Sequence, residues 1–197
     1  RPEFAPQPEI TAAKDTTVVG QDAENVTMAW RFKGANQGEG DILDIISSIL
    51  SNGKAGLFDT DLNQPMKVQG VDAGTDEQHD YTAFIALGMP NQGQKLEEVR
   101  ALILEEMGKL RRGEFADDLI PAVIANKKLD FYKSLDDNEQ RATMMGNAFI
   151  NDQDWAQVAN QLERQSKLTK KDIVEFAQKY LRDDNFVCVY KRMGEDK

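Results

Sequence analysis

The sequence predicts an α+β domain in which helices pack on one face of a mostly antiparallel sheet. Two observations lead to this fold class. Strand-like runs cluster in the first half of the chain and helical runs in the second, and the chain closes with a capped helix followed by a strand between residues 168 and 190. A strand that returns after a block of helices has to rejoin the early sheet, which is typical of α+β domains.

The first elements are an arm, a strand and a helix. Residues 1–23 contain three prolines and little periodicity, so we expect an extended arm, an edge strand or an interdomain linker there. Residues 26–32 alternate apolar and polar side chains, which predicts a half-buried strand. Apolar residues at helical spacing predict a core helix over 41–50, ended by Ser51-Asn52-Gly53.

A hairpin and a series of helices are predicted next. Runs at 67–73 and 80–89 resemble two strands, and Gly74-Thr75-Asp76 between them favours a turn. A long amphipathic helix begins near Leu96 and ends at Gly113, with Arg100 and Arg111 outside its apolar stripe. Further helical blocks are expected at 117–131, 137–149 and 155–162.

The closing helix and strand carry the clearest local pattern. The Thr169 side chain can accept a hydrogen bond from the amide of Asp172, which gives the helix a defined start. An apolar stripe follows at Ile173, Ala177, Tyr180 and Leu181. Alternation from Phe186 to Tyr190 then predicts a strand, in which the single cysteine, Cys188, is a small core residue rather than a nucleophile.

Composition limits the possible partners. The chain has 197 residues, with 24 basic and 34 acidic side chains, and its net charge of -10 argues against nucleic acid. No run reaches the ~20 apolar residues that a membrane span needs. We expect one domain over 24–192, with a linker at 193–197. The chain begins Arg-Pro-Glu-Phe without an initiator Met and ends Arg-Met-Gly-Glu-Asp-Lys, so we expect both ends to continue into a longer protein. The sequence does not identify the compartment, for which the cell envelope and the periplasm are candidates.

Two polar motifs match catalytic or metal-binding patterns only in part. His79 is the only histidine, no second His or Cys lies at ligand spacing, and no Gly-x-Ser-x-Gly segment occurs, so we expect it to be a solvated turn residue. Residues 59–63 read Asp-Thr-Asp-Leu-Asn and resemble the start of a calcium loop. The glycine and glutamate that complete such a loop are replaced by Gln64 and Gly70, so capping and turn formation is the expected role.

An apolar group could line a peptide groove. Met144, Met145, Phe149 and Trp155 are soft or aromatic side chains that adapt to varied partners. Such residues are more often buried, and we therefore expect them in the core. The acidic group Asp136-Asp137-Asn138-Glu139 is expected to cap the helix that contains the methionines.

The order of these elements resembles the pitrilysin/insulinase family of zinc metallopeptidases. The resemblance covers most of residues 15–192 and is strongest at 168–190 and at 50–57, where the sequence reads Leu-Ser-Asn-Gly-Lys-Ala-Gly-Leu. It implies repeated α+β domains that close a chamber around an unfolded peptide, with zinc in the first domain alone. The inverted zinc motif His-x-x-Glu-His of that first domain is absent here.

The resemblance implies a non-catalytic companion domain, most simply the second of an amino-terminal half. Such a domain would have no cofactor of its own, with zinc in the parent protein, and its partners would be the zinc-bearing domain and the peptide substrate. The arginine and tyrosine that hold substrate in the family's carboxy-terminal half are missing from residues 62–68. Gly53, Lys54 and Gly56 are the residues that we expect at chamber or interdomain contacts. The alternative function is a degenerate peptidase-like module used for assembly.

Overall fold

A five-stranded sheet forms the frame of the domain in a computed structural model, which describes residues 5–194. The strands are β1 (Lys14–Gly20), β2 (Asn25–Lys33), β3 (Gly70–Glu77), β4 (Tyr81–Met89) and β5 (Val187–Met193). Their order across the sheet is β1-β5-β2-β4-β3. The β1–β5 pair is parallel and the other pairs are antiparallel. The predicted α+β class with a mostly antiparallel sheet is confirmed.

The helices follow the predicted order. They are α1 (Gly40–Leu50), α2 (Leu96–Arg112), α3 (Leu119–Asp136), α4 (Asn138–Ile150), α5 (Trp155–Ala159), α6 (Gln161–Gln165) and α7 (Lys170–Tyr180). α3 continues beyond residue 131 because no helix-breaking residue intervenes before Asp137, whose side chain accepts hydrogen bonds from the amides of Glu139 and Gln140 and so starts α4. In the described part of the chain, no helix is both long and apolar enough to cross a bilayer.

One hydrophobic core joins the sheet to the helices. Alternate residues of β2 and β4 are buried, as the two-residue period requires, and they meet buried side chains of α1, α2, α3 and α7. At the centre, the Trp30 ring lies 5.1 Å from Phe186 and 6.1 Å from Phe84, measured between ring centroids. Its indole nitrogen donates to the carbonyl of Arg182 at 2.9 Å, so the buried polar atom is satisfied.

The closing helix and strand form as predicted. Thr169 and Asp172 make a reciprocal capping box at the start of α7. Ile173, Ala177 and Leu181 are fully buried. β5 then inserts between β1 and β2, so the last strand completes the sheet rather than extending it.

The hairpin is present, but the predicted position of its turn is wrong. Gly74 and Thr75 lie within β3, opposite Ile85 and Phe84 of β4, and the chain reverses at residues 78–80. The register is fixed by the alternating pattern of β4. Nothing lies within 4 Å of the position that a Cβ of Gly74 would occupy, so no neighbouring atom loses a packing partner when the residue is glycine. The edge strand therefore tolerates Gly74.

The arm contains the edge strand β1, one of the alternatives expected for it. Arg100 of α2 links this edge to the helices, since its guanidinium donates to Asp15 at 2.7 Å and to the Tyr190 hydroxyl at 2.9 Å. The division into arm, domain and linker remains a prediction. Residues 1–4 of the predicted arm and 195–197 of the predicted linker lie outside the described residues.

Candidate functional site

The side of the sheet opposite the core is an apolar surface that is only half-buried. We call it the open face. Its central residues are Ala29, Ala83, Ile85, Leu87, Val187 and Val189, all on three adjacent strands. The register places them side by side: Ala29 pairs with both Ile85 and Val187, and Thr27 pairs with both Leu87 and Val189.

The surroundings of the open face are charged. Asp72 and Asp76 of β3 lie opposite Leu87 and Ala83, while Lys14 and Lys191 lie on the β1–β5 side. A contiguous apolar surface with a polar rim is typical of a binding surface rather than of ordinary solvent-facing sheet. The open face is therefore a candidate site for an extended apolar ligand.

The loop after α1 carries the three residues that the sequence singled out, Gly53, Lys54 and Gly56. Gly53 has a φ of 78°, which favours glycine, and Lys54 is exposed. Gly56 is buried so tightly that a Cβ there would lie 2.4 Å from the carbonyl oxygen of Leu50. The loop therefore presents a lysine on a tightly packed base.

Asp59 holds this loop in place. Its carboxylate accepts hydrogen bonds from the backbone amides of Asn52 at 2.8 Å and Gly56 at 3.2 Å, and the residue is 5% exposed. The Asn52 side chain in turn accepts from the amides of Lys54 and Ala55. The segment that resembles a calcium loop thus acts as a structural cap, as expected, and forms a wide helical turn over Asp59–Asn63.

His79 lies at the hairpin turn, as expected, but it is not simply solvated. Its Nδ1 lies 2.6 Å from Asp80 and its Nε2 lies 2.8 Å from Asp152, and 31% of the side chain is exposed. The two carboxylates contact opposite ring nitrogens, so the three groups cannot converge on one ion. Within residues 5–194, no cluster of His, Cys, Asp or Glu is arranged to hold a metal. The described residues therefore offer no ligand set of the kind that a zinc site uses.

A buried acidic group lies where α2 meets the Asp59–Asn63 turn. Glu106 is 1% exposed, and Lys109 donates to it at 2.9 Å and to Asp61 at 2.6 Å. Burial raises the pKa of Glu106, whereas the hydrogen bond from Lys109 lowers the pKa of Asp61. This group was not identified from the sequence. The spacing of Glu106, three residues after Ile103 and four before Leu110, places it on the buried stripe of α2 and was the signal for it.

The prediction that the apolar group of α4 and α5 is buried is wrong for three of its four members. Phe149 is 83% exposed, Met145 is 52% exposed and Trp155 is 39% exposed, while Met144 is half-buried. Ala148 is the buried residue of α4, so this helix contacts its neighbours through a small side chain and turns its large ones outward. The last strand behaves as predicted, since Cys188 is buried and burial raises the pKa of its thiol.

Comparison with solved structures gives similar folds. The structure of a protease from Helicobacter pylori matches with a TM-score of 0.87 and 19% identity over 94% of this chain and 45% of that one. A peptidase M16 inactive domain from Pseudomonas fluorescens matches with a TM-score of 0.81 and 10% identity, over 100% and 47% of the two chains. A chain of Complex III2 from Candida albicans matches with a TM-score of 0.71 and 11% identity, over 89% and 45%.

These matches establish the fold, and this chain spans about half the length of each matched chain. Comparison with curated protein sequences gives no match. The family model described as "Peptidase M16 inactive domain" matches residues 1–127 of the 197. Since that match covers well over half of the sequence, the chain belongs to the peptidase M16 inactive-domain family.

Proposed function

We propose that this chain is a non-catalytic domain of a zinc metalloendopeptidase. In this proposal it forms part of a chamber that encloses peptide and supports proteolysis by a zinc-bearing domain outside the chain. The open face carries the proposal, because an apolar surface across three strands can contact an unfolded peptide without requiring a particular sequence.

The chemistry of the chain supports a non-catalytic role. Zinc sites that activate water usually draw three ligands from His, Cys and carboxylate side chains. Here the one histidine is bonded on both ring nitrogens, and the one cysteine is buried in the core. Proteolysis would therefore need a metal held by another domain.

The loop at residues 53–56 is proposed as a contact of the same assembly. Lys54 is exposed, while Gly56 and Asp59 fix the backbone beneath it. A lysine on a braced loop can meet an acidic group of a companion domain at little entropic cost. Lys54→Ala should then weaken association without lowering stability, and Lys171→Ala, at an exposed position of α7, is the matched control.

The experiment compares this chain, the zinc-bearing domain and the two together in cleavage of an unfolded peptide. We expect no cleavage and no stoichiometric zinc for this chain alone, and chelator-sensitive cleavage when both are present. In the two-domain protein, Ile85→Asp on the open face should raise KM, whereas Leu129→Asp, the same kind of change at an exposed position of α3, should not. Stoichiometric zinc in this chain alone would overturn the proposal.

A second candidate function is an assembly module without proteolytic activity. The similarity to a chain of Complex III2 favours it, because a similar fold occurs there within a protein complex. The open reading frame of the parent protein distinguishes the peptidase domain from the assembly module. A His-x-x-Glu-His motif within about 200 residues upstream, the length of one domain, favours the peptidase, and its absence from every copy of the domain favours the module.

A further inference from the structure

The arm contacts the end of the open face through its backbone. The amide of Gln7 donates to the hydroxyl of Tyr81 at 2.7 Å, and the guanidinium of Arg31 donates to the carbonyl of Pro8. Arg31 and Tyr81 belong to neighbouring strands, β2 and β4, and the guanidinium carbon lies 5.1 Å from the centre of the tyrosine ring. The sheet therefore presents a donor, Arg31, and an acceptor, Tyr81, side by side to the same segment of the arm.

The sequence of the arm fits these two groups. Proline has no amide hydrogen, so Gln7 supplies the only backbone donor between Pro6 and Pro8, and Tyr81 accepts from it. A residue that precedes proline favours extended backbone, which means that Gln7 loses little conformational freedom when it binds. Aromatic surfaces commonly bind proline-rich segments in this conformation.

The arm then continues over the apolar part of the open face. Ile10 lines an open cavity of about 600 Å³ together with Ala29, Ala83 and Val187. Three residues later Ala13 packs against the core, and the chain enters β1. Backbone recognition at Arg31 and Tyr81 is thus followed by an apolar side chain over the sheet.

We propose that Arg31 and Tyr81 form a binding site for the backbone of an extended, proline-flanked peptide segment, and that residues 6–8 of this chain are its resident ligand. The site recognises an amide and the carbonyl of the next residue, so the side chain of Gln7 is not essential to it. While the arm is bound, it covers this end of the open face. This contact lies within one chain and does not depend on the proposed function.

The first test is hydrogen exchange at the Gln7 amide in the full chain. Tyr81→Phe removes the acceptor and keeps the ring, so the amide should exchange about tenfold faster, as expected for the loss of one net hydrogen bond of about 1.4 kcal/mol. Tyr132→Phe, at an exposed tyrosine of α3, should leave the exchange unchanged. Equal exchange in the wild type and Tyr81→Phe would overturn the proposal.

The second test separates the site from the arm. Gln7→Pro removes the backbone amide hydrogen that binds Tyr81 and keeps the segment extended, whereas Gln7→Ala keeps this amide hydrogen. A synthetic peptide with the sequence of residues 5–11, titrated to about 10 mM to exceed the millimolar effective concentration of a tethered segment, should shift the methyl resonances of Ala29, Ala83 and Val187 in the Gln7→Pro chain. The shifts should be smaller in the Gln7→Ala chain. Equal shifts in both chains, or shifts in neither, would refute the assignment.

Discussion

Replacing Asp59 by alanine should destabilise the domain through the loop that presents Lys54. The Asp59 carboxylate is nearly buried and accepts from the amides of Asn52 and Gly56. Alanine leaves both amides without that acceptor. The Gly56 amide is buried, so water cannot fully replace the lost bond.

The size of the effect follows from these two bonds. A hydrogen bond to a charged group contributes about 1.5 kcal/mol at the lower end of the measured range, so the two together give about 3 kcal/mol. For a domain of this length, a loss of 1 kcal/mol lowers Tm by about 2–4 °C, which predicts a decrease of about 6–12 °C. Asp59→Asn keeps an acceptor oxygen and loses the charge, so its cost should be near 1 kcal/mol.

Urea unfolding of the wild type, Asp59→Ala and Asp59→Asn measures these differences. Glu105→Ala, an exposed acidic position on α2, is the matched control and should change stability by less than about 0.5 kcal/mol. Asp59→Ala within that same margin would refute the structural role of the carboxylate. Millimolar calcium should leave Tm unchanged, and a rise in Tm with calcium would contradict the assignment of this segment as a cap.

Three further predictions concern stability. Thr169→Ala removes one half of the capping box and should cost about 1 kcal/mol by urea unfolding; no change would mean that Asp172 suffices alone. Gly88→Ala places a Cβ 2.5 Å from the Cγ1 of Val99 and should cost about 1–3 kcal/mol by the same measurement; a variant as stable as the wild type would exclude such close packing. Burial raises the pKa of Glu106 above its ordinary 4.5, so the folded state binds the carboxyl proton more tightly than the unfolded state does. The stability that this proton contributes is fully present below the unfolded-state pKa. It is lost as the pH rises through the folded-state pKa. Glu106→Gln cannot lose a proton and should therefore show a smaller fall in stability than the wild type as the pH rises above the ordinary glutamate pKa of 4.5; parallel profiles would contradict the assignment.

The parts of the fold that depend on local chemistry could be predicted from the sequence. The start of α7 depends on Thr169 and Asp172, which lie three residues apart, and the end of α2 depends on Gly113, whose φ is 70°. Alternation in β2 and β4 identified both strands. These features involve neighbours along the chain, so their physical cause is visible in a short window.

The features that depend on distant contacts could not be predicted. Gly74 favours a turn by itself, but pairing with Ile85 keeps it in a strand. Phe149 is apolar, yet whether it is buried depends on which side of α4 packs against α3. Glu106 is an acidic residue, yet its position on α2 faces the core. The contact between Gln7 and Tyr81 joins residues 74 positions apart, and no local pattern indicates it.

The pairing of β1 with β5 has a mechanical consequence. The two strands run parallel over seven residue pairs, from Lys14 with Val187 to Gly20 with Met193. A force that draws the start of β1 away from the end of β5 acts along both strands and loads the hydrogen bonds between them together, in shear, instead of opening them one after another. Tension applied between the start of β1 and the end of β5 is therefore resisted by all seven residue pairs at once.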